Sequence, residues 1–356
     1  METEQTRRKT MAAKAAATTL EQKLKSLVDA VDADAASQVY AGAFGGLSLG
    51  ESVKQGPAPP SSWSDGDGVK TATSVYAGAA QALEALASKA PLVLQEPSVT
   101  TDAAQAICKD VEKAANELQT AAALLQTDTA GAGAPLRAIA RVNGRRLLDA
   151  WRSLAEALKT SKDVPQKTGI AWEAAQMCSK IPKSNRTAYR REFLQWAKEL
   201  KDVLVEFEEL LAQDYDDTED AFDDPFGGLD DAYSPDSAPA AEAGIACLKV
   251  VGQLYKQALL TIDERGNAGK FDEVSSVYAS ADAVREAAVA LGEELYAPLD
   301  ADALRASLGA ADQAVRRLAP LVAPAASDKL PPPPGLEQRW RAQWSAAVEA
   351  VQYIKG

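Results

Sequence analysis

The sequence contains no histidine. That absence removes Ser-His and Cys-His nucleophile pairs, histidine general bases, and most zinc and non-haem iron sites. Cysteine is scarce. Cys108, Cys178 and Cys247 stand far apart, and no CxxC occurs. An odd number of isolated thiols fits small core residues in a reducing compartment better than a disulfide framework. No run approaches the ~20 apolar residues of a membrane span, and the N-terminus lacks the apolar stretch of a signal peptide. Phe and Trp number six each, and runs of β-branched residues are missing, which argues against a sheet. There is no GxGxxG, no GxxxxGK and no EF-hand loop. The sequence therefore offers no catalytic residue, no metal-ligand set and no cofactor motif, and it is expected to be non-enzymatic.

What it has in excess is alanine, 72 residues of 356, the best intrinsic helix former. Apolar positions recur at alternating spacings of three and four in segment after segment. Val69, Ala72, Tyr76, Ala79, Leu83 and Leu86 form one stripe. Leu147, Trp151, Leu154 and Leu158 form another, and Phe193, Trp196, Leu200, Val203, Phe207 and Leu210 a third. Each stripe needs neighbours to bury it, and antiparallel helices crossing at shallow angles supply them. The expected fold is all-α: two antiparallel helical bundles joined by a disordered acidic linker.

The breaks divide the chain as follows. Residues 1–17 read as a flexible tail carrying the basic cluster Arg7, Arg8 and Lys9. Residues 18–213 read as the N-terminal bundle, with a long Gly/Pro-rich loop at 41–68. Asp102 is a candidate N-cap, Pro135 a helix start, and Pro165 and Pro182 bracket a short helix around Trp172. Residues 214–239 hold ten acidic and no basic residues between Asp214 and Asp236, the composition of a solvated linker. Residues 240–356 read as the C-terminal bundle, with the polyproline spacer LPPPPG at 330–335 before the last helix.

Charge is unevenly spread. The net charge is −13, and the linker alone supplies −10. Residues 136–191 carry thirteen Lys or Arg against four Asp or Glu. Arg137, Arg141 and Arg145 recur every four residues, one helix face, with Arg146 beside them. Lys183, Arg186, Arg190 and Arg191 follow. This set is the candidate partner-binding patch. The helix starting near Asn185 is basic at its start and acidic at its end, against the preference of the helix dipole, so its basic end is expected to face something acidic. Ser234, before Pro235, is a candidate site for a proline-directed kinase. Overall acidity and the lack of an aromatic-interleaved basic module argue against a specific nucleic-acid partner.

The stretch TGIAWEAAQMCSKIPKSNRTAYRREFLQWAKELKDVLVEFEELL, with Trp172, Ala174, Gln176, Ile181–Pro182 and Asn185 as its skeleton, resembles the cyclin-D-binding proteins, also called Grap2-and-cyclin-D-interacting proteins. The acidic segment after a long helix, and the segment starting IACLKVVGQLYKQAL, resemble that family's layout. The resemblance implies a helical, non-enzymatic regulator that binds D-type cyclins or helix-loop-helix transcription factors, restrains cell-cycle progression, and occurs in cytoplasm and nucleus. It implies no cofactor and fixes no oligomeric state. Tandem bundles also build cytoskeletal linkers of the talin and vinculin kind, so a structural adaptor is the second reading.

Overall fold

The computed structural model describes residues 11, 13–29, 60–64, 66–96, 99–213, 233–322 and 335–354. The basic cluster at residues 7–9, most of the 41–68 loop, residues 214–232 of the acidic segment and the prolines at 331–334 lie outside the described residues. Among the described residues there are helices and no strand, as the 3-4 periodicity requires. The chain divides into two compact units, Met1–Ala188 and Tyr189–Gly356.

The first unit holds α1 (residues 13–29), α2 (Asp67–Leu94), α3 (Thr101–Gln126), α4 (Ala134–Thr160) and α5 (Val164–Ser179). α2 packs on α3 and α5, and α4 on α5 and, over a shorter stretch, on α3. α1 reaches α3 through Lys23 and Glu112, and α4 through Glu21 and Lys159, 3.3 Å apart. Helix starts follow local chemistry. The Thr100 hydroxyl accepts from the Ala103 amide at 3.2 Å and caps α3. Asp102, the cap expected from sequence, instead sits inside the first turn, where its carboxylate faces the positive end of the helix. Pro135 stands in the first turn of α4, and α5 ends before Pro182. Helix α1 extends into the expected tail, because Ala13 and Ala17 continue its buried stripe with Leu20 and Leu24. The core is mostly alanine and leucine around Trp151 and Tyr76, both without exposed surface.

The second unit holds most of α6 (Asn185–Leu211), with α7 (Ala238–Asn267), α8 (Phe271–Glu293), α9 (Ala301–Val322) and α10 (Leu336–Ala350). α7 packs on α8 and α10, and α9 on α8 and α10. Sequence places α6 with the first bundle; in the structure, Tyr189 onward is counted with the second. The reason is an aromatic seam. The Trp196 ring lies 5.6 Å from Tyr278 in a stacked arrangement and 5.8 Å from Tyr255. Tyr189 and Phe193 also meet Tyr278, and Phe207 meets Tyr296 at 5.0 Å. Phe193, Trp196 and Phe207 are buried, while Leu200 on the same stripe is half-buried.

The acidic segment does not read as linker up to residue 239. Tyr233 is buried, its hydroxyl donating to the Leu295 carbonyl, and α7 begins at Ala238. Acidic composition hid one aromatic ring with a place to go.

Candidate interaction surface

The skeleton that carries the family resemblance is largely a fastening device. Asn185 is buried, and its side chain is fully used: Oδ1 accepts from Gly133 N at 2.7 Å, and Nδ2 donates to Ser62 O at 2.7 Å and Gly131 O at 2.9 Å. The Arg186 amide donates to Trp63 O, and the Ser61 amide to Gly131 O. Gly131 has φ +68°, and a Cβ there would sit 1.7 Å from Ser61 Oγ, so only glycine fits on both counts. Ile181 and Pro182 are buried beside this clasp, and Ala174 is buried in α5. Gln176 Nε2 donates to Glu84 Oε1 at 3.1 Å, tying α5 to α2. Trp172 breaks the pattern: it is 43% exposed.

Trp172 is accompanied by other large apolar side chains in solvent, Ile170 on α5 and Val142 on α4. At 100° per residue, Trp172 and Ile170 flank the outward strip of α5. Between α4 and α5 runs a groove lined by Val142, Arg145, Arg146, Asp149 and Ile170. Trp172, about 200° round the helix from Ile170, does not line this groove.

The expected basic patch is only partly assembled. Arg141, Arg145 and Arg146 lie together on α4, half to fully exposed. Arg145 stands 3.6 Å from Asp149, and Arg146 3.8 Å from Glu173 of α5. Arg137 must be taken out of the patch. Its guanidinium donates to the carbonyls of Ala132 (2.7 Å), Gln126 (2.8 Å) and Thr127 (3.4 Å), with Asp128 alongside, and only 14% of the side chain is exposed. It satisfies the last carbonyls of α3, which have no partner inside their own helix. Lys183 is exposed in the α5–α6 turn, Arg186 is half-buried, and Arg191 is exposed on α6.

The reversed charge of α6 also has an internal explanation. Arg190, near its start, pairs with Asp263 near the end of α7. Glu208, near its end, pairs with Lys249 in the first half of α7 at 2.7 Å. The two helices run antiparallel, so the basic end of α6 meets an acid of α7 and its acidic end a base. Each exposed pair is worth about 0–1 kcal/mol, enough to offset the dipole cost of about 0.3–1 kcal/mol per charge. On the α6–α8 seam, burial and then the Asp282 carboxylate push the Glu192 carboxyl above its usual value. Arg285 lies over the Trp196 ring at 5.6 Å and bonds Asp282 at 2.8 Å.

Ser234 is half-buried in the turn that opens α7; its hydroxyl donates to Ser237 Oγ at 2.9 Å, and its carbonyl accepts from Ser237 and Ala238. The cysteines are free. Cys178 and Cys247 are buried and Cys108 is half-buried. Burial pushes the Cys178 thiol up to about 11, and Cys247 up to about 12, values of unreactive thiols. Among the described residues no cluster of three or more acidic or thiol side chains is arranged to hold a metal, and no helix is long and apolar enough to cross a membrane.

A second groove, which sequence did not reveal, lies between α3 and α4. It is a narrow crevice of about 30 Å³ over Leu118, Ala122, Ala123, Ala140, Gly144 and Leu148, with Gln119, Gln126, Arg141 and Arg145 at its rim. The signal was present in the small residues Ala140 and Gly144 between arginines, one face of α4 with no bulk.

These features define an all-helical unit with exposed apolar and basic surface on α4 and α5. Residues 77–213, from within α2 to just beyond the end of α6, match the family model described as Grap2 and cyclin-D-interacting, N-terminal. The resemblance carried by Trp172, Ile181–Pro182 and Asn185 thus holds over that stretch, while the segment starting IACLKVVGQLYKQAL lies beyond it. No curated protein matches the chain.

Proposed function

We propose that this chain is a non-enzymatic regulator that acts by binding a D-type cyclin or a helix-loop-helix transcription factor in cytoplasm and nucleus, and so restrains cell-cycle progression. The observation that carries this reading is the match of residues 77–213 to the cyclin-D-interacting family. The surface proposed to meet the partner is the outward side of α5, with the exposed Trp172 as its apolar anchor and the Arg146–Glu173 pair next along the helix. Burying one exposed tryptophan in a partner's pocket is the kind of contact that dominates an interface.

The test is titration calorimetry of the full chain with a purified D-type cyclin. Saturable binding is expected, with Trp172→Ala weakening it by about tenfold or more. Absence of binding, joined by cosedimentation of the chain with actin filaments, would move the assignment to the structural adaptor of the talin and vinculin kind.

A further inference from the structure

We infer that α1 is a displaceable helix, resting on α3 and α4 in a seat that an amphipathic helix of a protein partner takes when α1 leaves. The inference rests on the preceding reading only for the partner being a protein.

The seat is defined by its resident. α1 buries one narrow stripe, Ala13, Ala17, Leu20, Leu24 and Val28. Its two flanks carry opposite charge. Lys23 pairs with Glu112 of α3, and Glu21 with Lys159 of α4 at 3.3 Å. A helix that replaces α1 therefore needs the same chemistry: a stripe of alanine and leucine, a cation toward α3 and a carboxylate toward α4.

Several features make α1 separable from the bundle beneath it. Helices α2 to α5 close a ring by themselves, α2 on α3 and α5, and α4 on α3 and α5. The joint between α1 and α3 is incompletely filled. A hollow of about 320 Å³ opens between Ala16, Thr19 and Leu20 of α1 and Thr101, Gln105 and Cys108 of α3. Side chains that line a gap lose the contacts that close packing would give them. The ion pairs at the edges are partly exposed, and such pairs add little. Residues 30–59 join α1 to the next described residue, and thirty residues reach up to about 100 Å when extended, so α1 can lift off without pulling on α2. A helix as short as α1 is marginal in isolation and owes its order to the surface under it. A partner helix that fills the hollow better displaces it. The α3 and α4 surface lies within the residues that match the family model, and α1 lies outside them.

Cys108 reports on the seat. It is half-buried and lines the hollow. Burial, and then the Glu112 carboxylate, push its thiol up to about 11, against the opposing pull of Lys23. Lifting α1 removes that cover, while Cys178 in α5 and Cys247 in α7 stay buried.

The experiment alkylates the full native chain with N-ethylmaleimide and follows each cysteine by mass spectrometry. Leu24→Asp puts a carboxylate on the buried stripe and unseats α1. Cys108 is then expected to react about tenfold or more faster, with Cys178 and Cys247 still protected. A synthetic peptide of residues 11–29 should slow Cys108 again, saturably, because no tethered α1 competes at high local concentration. The same peptide carrying Leu20→Asp and Leu24→Asp should not. In the unaltered chain, amides within α1 should exchange about tenfold or more faster than those in the middle of α2 and α4. An unchanged Cys108 rate in Leu24→Asp, exposure of all three cysteines together, or exchange of α1 in step with α2 would make α1 a fixed part of the core and overturn the inference. A peptide that gives no protection would overturn it too, since the seat would take no external helix. A chain that passes these tests but binds no D-type cyclin keeps this inference and loses the cyclin reading. One that binds cyclin with α1 fixed in place does the reverse.

Discussion

The two units use helices of similar length but are held together by different means. In the first, alanine and leucine fill the core, and one end is tied by a buried amide, Asn185, hydrogen bonded to three backbone groups. In the second, α6 is joined to α7 and α8 by rings: Tyr189, Phe193 and Trp196 against Tyr255 and Tyr278, and Phe207 against Tyr296. Area and ring geometry drive the second kind of joint, and it tolerates changes of partner orientation. A buried amide with directed bonds does not. It costs little when complete and much when any bond is missing. Asn185, Gly131 and Gly133 of the fixed joint lie within the residues that match the family model, as do the exposed Trp172 and the apolar grooves. A binding surface profits from a rigid mount, because partner affinity is lost to any ordering that must happen on contact.

Phe207→Ala attacks the ring-based joint and is expected to have the largest effect, about 3–5 kcal/mol of lost stability. Phe207 has no exposed surface and packs on Tyr296. Urea denaturation followed by helical circular dichroism measures it. A loss under about 1 kcal/mol would mean that this end of α6 is open to a partner and not sealed by Tyr296.

Asn185→Ala attacks the amide joint. It leaves the Gly133 amide and the Ser62 carbonyl without their partner, and Gly131 O with the Ser61 amide alone, at a largely buried site, at a cost of about 2–4 kcal/mol. Exchange of the Gly133 amide should quicken in step. If stability falls while that amide stays protected, water has replaced the side chain, and the first unit is less dependent on the clasp than the geometry implies.

Much of this was legible beforehand, and the reasons for the rest are specific. The stripes Val69–Leu83 and Leu147–Leu158 are buried because a 3-4 period leaves only one way to hide an apolar face. Arg137, Arg141 and Arg145 share a helix face by spacing alone. Spacing does not say that the end of α3 would lie within reach of Arg137 and offer it two carbonyls. The reversed charge of α6 was visible, but its partners, Asp263 and Lys249 of α7, needed the antiparallel pairing to be known. The clasp was the least legible part. Asn185, Gly131 and Ser62 are distant in sequence, and none carries a periodic signal. The α3–α4 groove is a gap, and a gap is defined by what neighbouring helices fail to fill.

The smallest expected effect separates the units most finely, because it compares two copies of one residue type. Trp151 in α4 and Trp340 in α10 are both without exposed surface. The Trp340 indole N–H donates to Asp312 Oδ1 at 3.0 Å, and Arg316 holds the other carboxylate oxygen at 2.7 Å. The Trp151 indole N–H is buried with no hydrogen-bond partner among the described residues. Replacing either by phenylalanine removes similar volume and leaves a similar void. At Trp340 the change also strips a hydrogen bond from a buried carboxylate, a loss of about 1.5–3 kcal/mol for bonds to charged groups. At Trp151 it deletes an unsatisfied donor whose desolvation already costs about 1–3 kcal/mol, which offsets the void. Trp151→Phe should therefore change stability by no more than about 1 kcal/mol, and Trp340→Phe should cost at least about 1 kcal/mol more than it does. Parallel denaturation of the two variants decides it. Equal losses would mean that the Trp151 nitrogen has found a partner, most simply a buried water, and that the first unit carries a second polar contact inside its alanine-rich core.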